Sequence, residues 1–301
     1  MPVIKKELFN MEYTLHVIYL LCIYIMLVLS ANLTTGMANL LTMCQAAFYG
    51  IGAYIGTLFL FQCNYLFVVI AIAVMLVTGV SSLIVSYASV KLKGDYFVLA
   101  TMGFQLIVYT ILYNWTEVTN GTYGIAGIPG INLFFGAVSL DGIYLNLTFV
   151  MLITIAVVLF LYRLKNSPYG RLLKAIRNDD ITVEAFGRNT ASVKIWAFAL
   201  SSAIAGLAGA LYASYVGYID PTSFPLKESI FILCALFIGG IGNIEGPICG
   251  AAFVIVLPEL LRFVGLPDSV AAEIRQIIYG VALVLIMIFR PQGIKGKIVM
   301  K

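Results

Sequence analysis

The sequence predicts an all-α polytopic membrane protein, a single transmembrane domain over residues 1–301 with about ten passes. Three observations predict it. The chain is 61% hydrophobic and 11% charged, less than half the charge of an ordinary soluble domain. Its mean hydropathy is +1.01. Runs long enough to cross a ~30 Å hydrocarbon core at 1.5 Å per helical residue recur at 13–30, 44–61, 66–89, 96–113, 144–162, 195–216, 248–264 and 276–289. Two more, 33–43 and 228–240, are apolar but short.

The same composition narrows the function classes. Cys22, Cys44, Cys63, Cys234 and Cys249 lie in apolar context without C-x-x-C spacing and read as small hydrophobes. His16 is the only histidine, which excludes a histidine-rich metal site. There is no GxxxxGK[ST] to cradle ATP phosphates, no HExxH and no G-x-S-x-G. Neither a cofactor nor a catalytic residue is expected. The net charge of +4 needs no nucleic acid, because its distribution has a topological cause. Lys5 and Lys6 precede an apolar run as in a signal peptide, but no A-x-A site follows, so the first run reads as a retained helix.

Lys and Arg collect in cytoplasmic loops. The clusters Lys5–Lys6, Lys91–Lys93, 163–194 and 290–301 are all placed inside, which leaves only Lys227, Arg262 and Arg275 of the 18 basic residues elsewhere. Both termini are then cytoplasmic, and parity requires an even number of crossings between residues 6 and 91 and between 194 and 290. Each interval holds three long runs, so 33–43 and 228–240 must each supply a fourth. Such short helices leave broken or extended backbone at membrane depth, tolerated only when buried in protein or lining a cavity.

Both places are rich in glycine and amides: "GMANLLTMCQAAFYGIGAYIG" (36–56) and "GGIGNIEGPICG" (239–250). Short, glycine-interrupted segments point to a translocation route; close helix packing is the other reading, and both can hold. Asn39, Gln45, Gly50, Gly52, Gly240, Gly242 and Asn243 are the candidate path residues, the amides to satisfy freed backbone or contact a zwitterion, the glycines to allow close approach. Residues 114–143 carry no Lys or Arg and many turn formers, as a large external loop would. Gly94 should end one helix and Asp95 cap the next. The Asn-x-Thr sequons at Asn32, Asn114, Asn120 and Asn146 are as frequent as chance allows. Glu245 and Glu259 flank the second broken region, Glu245 at the cytoplasmic edge.

"SPYGRLLKAIRNDDITVEAFGRNTASVK" (167–194) is the one long charged passage. Ser167–Pro168 is an N-cap and N1 pair. "RLLKAIR" puts Leu172, Leu173 and Ile176 on one face with Lys174 and Arg177 elsewhere. "NDD" interrupts this helix and caps "ITVEAF", which Gly187 ends as a C′ residue. The product is a cytoplasmic helix–turn–helix whose small apolar face suits either lipid or a groove on another protein.

The stretch "YGRLLKAIRNDDITVEAFGRNTASVKIWAFALSSAIAGLAGALYA" resembles the cytoplasmic loop and following helix of the LivM-type permeases of branched-chain amino-acid ABC importers. "AAFYGIGAY" (46–54), "LKGDYFVLATMGF" (92–104), "NWTEVTNGTYGIAGIPG" (114–130) and "GGIGNIEGPICGAAF" (239–253) are similar to the same family in the same order, and "KGDYF" and "NGTYGIAGIP" favour LivM over its sister LivH. The family's early "NLGHAAFF"-like motif reads "NLLTMCQAAFY" here, with Gln45 in the place often held by His or Gln. The resemblance implies a non-catalytic permease subunit of the bacterial cytoplasmic membrane, with ATP acting only through partners. Those partners are a LivH-type permease, two ABC ATPases and an external substrate-binding protein, with membrane lipid around them. It maps the ATPase-coupling element onto Glu184, Ala185 and Gly187, with Arg171, Lys174 and Arg177 on the preceding helix. Urea or short amides are the alternative substrates. A self-sufficient secondary transporter, from a different class, would need intramembrane charges, and the runs 13–30, 66–89, 96–113 and 144–162 contain none.

Overall fold

The computed structural model describes residues 2–62, 67–89, 92, 94–134, 138–139, 143–262 and 277, 278, 280, 281, 284, 293 and 295. Most of the run 276–289, the 290–301 cluster, Cys63, Lys91, Lys93, Arg275 and the Glu259 side chain lie outside the described residues. The long helices are α1 (Pro2–Ala31), α2 (Gln45–Gln62), α3 (Phe67–Ser89), α4 (Asp95–Asn114), α6 (Ile143–Asn166), α9 (Thr190–Val216), α10 (Leu226–Gly239) and α11 (Glu245–Arg262). A short α5 (Thr116–Thr119) follows α4, and α7 (Pro168–Asn178) and α8 (Asp180–Ala185) form the charged passage. Two small antiparallel pairs complete the chain: β1 (Ile125–Ala126) with β4 (Tyr218–Ile219), and β2 (Asn132–Phe134) with β3 (Val138–Ser139). Among the described residues, six segments are long and apolar enough to cross a membrane: Tyr13–Met37, Phe67–Ala88, Asp95–Asn114, Tyr144–Asn166, Thr190–Val216 and Pro221–Gly239. The chain is a polytopic, all-helical membrane protein.

Helix α9 is the centre. Its "ALSSAIAGLAGALYAS" run is almost wholly buried, because residues this small let neighbouring backbones come close. A Cβ on Gly52 of α2 would overlap the Gly206 backbone, one on Gly209 would overlap the Tyr49 carbonyl, and one on Gly206 would overlap Thr78 of α3. Helices α2, α9 and α3 are thus stacked with little side chain between them. The outer faces of α3, α4 and α6 present Val69, Ile72, Leu76, Val80, Ile84, Ile107, Leu152 and Leu159, at the spacing of a lipid-facing helical stripe.

Side-chain pairs set the directions. Tyr19 of α1 donates to the Leu211 carbonyl at 3.0 Å, and Ser201 donates to the Ser30 carbonyl at 2.7 Å, so α1 runs antiparallel to α9. Gln45 at the start of α2 meets Ser201, while Gly56 lies against Ala210, so α2 runs parallel to α9. One end of the bundle therefore holds Gly36, the start of α9, α7–α8 and the α10–α11 turn. We call it the basic end, since Lys165, Arg177 and Lys295 gather there. The other holds Tyr19, Val216 and the β1–β4 pair.

Two expectations are corrected here. The run 33–43 is not a crossing of its own. Helix α1 continues through a π-helical segment at Asn32–Met37, so the chain stays helical to Ala38 and only 39–44 is non-helical. A length-and-parity argument treats the run as one object, whereas a π-turn lets the helix absorb half of it. The first helix also begins at the end of the bundle opposite to 163–194. Its described residues near Tyr19 lie beside Leu211, and its far end touches α7. In contrast, 228–240 does form a helix, α10, and Gly293 and Lys295 return to the basic end against Gly240 and Asn243. A smaller correction concerns Asp95. Gly94 (φ 57°) is the N-cap of α4, and Asp95 is the first helical residue with no side-chain cap bond.

Candidate functional site: two breaks and a charged hairpin

The first break spans 39–44. Asn39 takes φ 57°, a left-handed conformation Asn tolerates, and turns the chain out of α1. The following residues alternate: Leu40, Thr42 and Cys44 are buried, while Asn39 is exposed and Leu41 and Met43 are half-buried, the period of an extended strand. Its polar groups are met by other helices. Leu40 N–H donates to the Thr34 carbonyl at 3.0 Å and the Leu40 carbonyl accepts from the Thr35 hydroxyl at 3.2 Å. Met43 N–H donates to the Thr101 hydroxyl of α4 at 3.1 Å, and Ala46 N–H, in the first turn of α2, donates to Ser229 of α10 at 2.9 Å. Ser229 in turn donates to Gln105 at 3.3 Å, and Gln105 donates to the Phe224 carbonyl at 3.0 Å.

Gln45 is 3% exposed. Its amide donates to Ser201 at 3.0 Å and accepts from Ser30 at 3.4 Å, so it ties α1, α2 and α9 together rather than facing an opening. Thr42, also fully buried, has a hydroxyl without a partner among the described residues. Gly50 packs under Phe224 and Leu112, and Gly52 against Gly206; both are packing positions.

The second break lies at the basic end. Gly240 (φ 104°) and Gly242 (φ 80°) hold backbone conformations that favour glycine. Asn32, within the π-helical segment, accepts from Gly242 N–H at 3.0 Å and donates to the Asn243 carbonyl at 2.6 Å. The Asn243 side chain accepts from Lys165 of α6 at 3.1 Å and donates to the Lys295 carbonyl at 2.7 Å. The π-helical segment that leads into the first break therefore meets the second break through Asn32, which composition alone does not single out. Glu245 pairs with Lys295 at 3.4 Å across an exposed surface.

The charged hairpin sits beside this junction. Ser167 caps α7 by accepting from Gly170 N–H at 3.2 Å with Pro168 at N1. Leu173 and Ile176 are buried. Asp179 caps α8, accepting from Ile181 N–H at 3.0 Å and from the Thr182 hydroxyl; the Thr182 hydroxyl holds its carboxyl below the ordinary value, helped by the backbone N–H groups. Gly187 takes φ 76° just past α8. Arg177 does not face outward as Arg171 does: like Lys174 it is half-buried. It donates to the Gly36 carbonyl at the end of the π-helical segment, and its burial lowers its guanidinium pKa. Glu184 accepts from the Thr190 hydroxyl, and Lys194 pairs with Asp180, so α8 is fastened to the start of α9. What the hairpin leaves in the open is Ile181 (71% exposed), Ala185 and Phe186 (82% exposed). Neither Ile181 nor Phe186 stood out in sequence, since both read as ordinary helix positions.

Glu228 is the other residue sequence reasoning missed. It lies in the first turn of α10, inside the span Pro221–Gly239, and its Oε1 accepts from the Tyr24 hydroxyl of α1. The signal was a carboxylate at the first position of the short run 228–240, a run weighed for its length and not for its charge.

Comparison with known proteins finds permease components. A sequence model of the family described as branched-chain amino acid transport system / permease component matches residues 13–287. The chain is 32% identical over 294 residues to the high-affinity branched-chain amino acid transport system permease protein LivM of Salmonella typhimurium, covering 90% of this chain and 67% of that one. It is 31% identical over 303 residues to LivM of Escherichia coli, covering 93% and 69%. With the probable branched-chain amino acid transport permease protein LivH of Methanocaldococcus jannaschii it shares 25% over 289 residues, 90% of this chain and 88% of that one. No solved structure matches.

Proposed function

Starting from the fact that this chain belongs to the family of branched-chain amino acid transport system permease components, we propose that it carries branched-chain amino acids through the membrane as one of two permeases in an ABC importer. Its partner permease would be of the LivH type, with two ATPases on the basic end and a substrate-binding protein on the other. The observation that carries this reading is the hairpin 167–187, whose inner side is fastened to the bundle and whose outer side leaves Ile181, Ala185 and Phe186 uncovered. A chain without a phosphate-binding loop must take its energy from outside, and ATP can bias a two-state transporter only through differential contact with its two states. A rigid exposed hairpin supplies such a contact. On this reading the basic end is cytoplasmic, with 163–194 and Lys295 inside and 114–134 outside, and the N-terminal end of α1 starts outside.

The path is the finer part of the proposal. At membrane depth non-helical backbone needs protein or an aqueous cavity beside it. Asn39, Leu41 and Met43 form the less covered face of this segment, so the first break borders the interface with the partner permease and the route between them. Gln45, Gly50 and Gly52 support it from behind. Gly240, Gly242 and Asn243 form its cytoplasmic margin.

Gly187→Val tests the docking. A β-branched residue at φ 76° costs about 1–2 kcal/mol locally, and nothing lies within 4 Å to obstruct it. The variant should insert normally but lose ATPase co-purification or substrate-stimulated hydrolysis; unchanged assembly and transport would sink the docking role. Single cysteines at Asn120 and Asn178, in a background without native cysteines, should label from opposite faces. Labelling of both from outside would sink the orientation.

A further inference from the structure

We propose that Glu228, held by Tyr24, receives the substrate's ammonium group at mid-membrane. The inference rests on the amino-acid reading above and adds a residue to it.

Depth comes first. Tyr24 lies on α1 between Tyr19, which meets Leu211 towards the far end of α9, and Ser30, which meets Ser201 well inside it. Its hydroxyl donates to Glu228, which sets the carboxylate at the same level. Helix α10 begins this deep because the segment before it dips inward: Phe224 packs edge-on against Tyr49 at 5.0 Å and Tyr212 at 6.2 Å. The next residue, Ser229, is the one that binds Ala46 N–H at the start of α2. Glu228 thus stands next to the residue that holds the first turn of α2, just past the first break, where two helices begin at mid-depth.

Chemistry comes second. A carboxylate inside a spanning segment is costly, more so than a first-turn position on the helix dipole repays. Within a protein such a group is paired with a cation or serves one. Among the described residues Glu228 pairs with no cation, the ion pairs there being Lys194–Asp180 and Lys295–Glu245. Tyr24 occupies Oε1 and leaves Oε2 without a partner among the described residues. The residue is half-buried rather than sealed. Around it, Phe231 sets its ring edge-on to Tyr24 at 6.0 Å, and exposed Ile230 with half-buried Cys234 and Phe237 continue a partly covered strip down α10. One acceptor oxygen, an aromatic wall and an aliphatic strip suit a branched aliphatic chain bearing an ammonium group. The aromatic faces add to the attraction for the cation.

The experiment uses the assembled permease–ATPase complex in proteoliposomes with its binding protein, and L-leucine as the probe. At matched amounts of assembled complex, Glu228→Gln should lower leucine uptake roughly 10- to 100-fold, as expected for losing a charged partner, and Glu228→Asp should recover part of it. Uptake by Glu228→Gln equal to the unsubstituted complex overturns the proposal. Because a variant can fail to assemble, the unsubstituted complex is also treated with a hydrophobic carbodiimide and the Glu228 peptide read by mass spectrometry. Leucine should protect the carboxylate at least about tenfold better than 4-methylpentanoate, which keeps the side chain and carboxylate but lacks the amine. Equal protection overturns the proposal. Failure of the broader reading looks different: the unsubstituted complex then takes up no leucine at all, and the ammonium assignment falls with it.

Discussion

The two breaks look alike in sequence and are built on different principles. At 39–44 the chain is extended, Met43 N–H is satisfied by Thr101 of α4 and Leu40 by Thr34 and Thr35, and Ser229 of α10 holds the first turn of α2 that follows. At 240–244 the chain makes a glycine turn at the bundle's edge, and one side chain, Asn32, holds both its N–H and its carbonyl. The first is a long-range assembly that exists only when several helices are in place. The second is a tight turn whose backbone is held by one distant side chain, with Lys165 and Lys295 on the Asn243 side chain beside it. A glycine-rich apolar run can therefore encode either a distributed joint or a pinned one, and the partners, not the run, decide which.

The largest expected effect breaks the shared anchor. Asn32→Leu removes both bonds to the second break and leaves two backbone groups unpaired at about 1–3 kcal/mol each, so the total loss is roughly 2–6 kcal/mol. Thermal denaturation of the purified permease should show it, and a shift no larger than that of a surface substitution would mean the turn is self-supporting. Next is Ser229→Ala, expected to cost about 1–2 kcal/mol by orphaning Ala46 N–H. If the first break is a distributed joint, this loss should couple to that of Thr101→Val in a double-mutant cycle; strict additivity would show two separate fastenings. Gly242→Ala comes third, at about 1–2 kcal/mol for a left-handed alanine, acting on the pinned turn alone. The smallest effect should have the opposite sign. Thr42→Val keeps the shape of a buried residue and deletes a hydroxyl without a partner, so stability should hold or rise by up to ~1 kcal/mol. A clear loss would reveal a hydrogen bond made in the assembled importer.

The same contrast explains what sequence could and could not reveal. Helix existence was legible because apolar length is a local property, and so were the Ser167–Pro168 cap and Gly187, whose signals sit within a few residues. The fate of 33–43 was not, because a π-helical extension leaves no compositional trace and the parity argument leaned on Lys5 and Lys6. Arg177 was read as facing outward from helical periodicity alone. Its guanidinium instead reaches Gly36, 141 positions away. Gln45 was rightly singled out as an amide near a break, yet its partners Ser30 and Ser201 are set by tertiary packing. Family resemblance supplied the permease identity that periodicity left open between lipid and protein docking.

Finally, the backbone-to-backbone stacking of α2 on α9, with Thr78 of α3 seated directly on Gly206, has a mechanical consequence. Where Gly52, Gly206 and Gly209 leave no side chain to slide or re-rotamer, the three helices have no soft coordinate between them and must travel as one chassis. Any cycle that alternates access has to take up its displacement at the edges of that chassis. Arg177 attaches the hairpin to Gly36, close to both breaks, while Tyr169–Val193, Glu184–Thr190 and Asp180–Lys194 attach it to the start of α9. A push on the hairpin is therefore delivered both to one end of the chassis and to the segment that leads into the first break. Spin labels on α2 and α9 should keep their separation through the ATP cycle, while a pair on α7 and α10 should not.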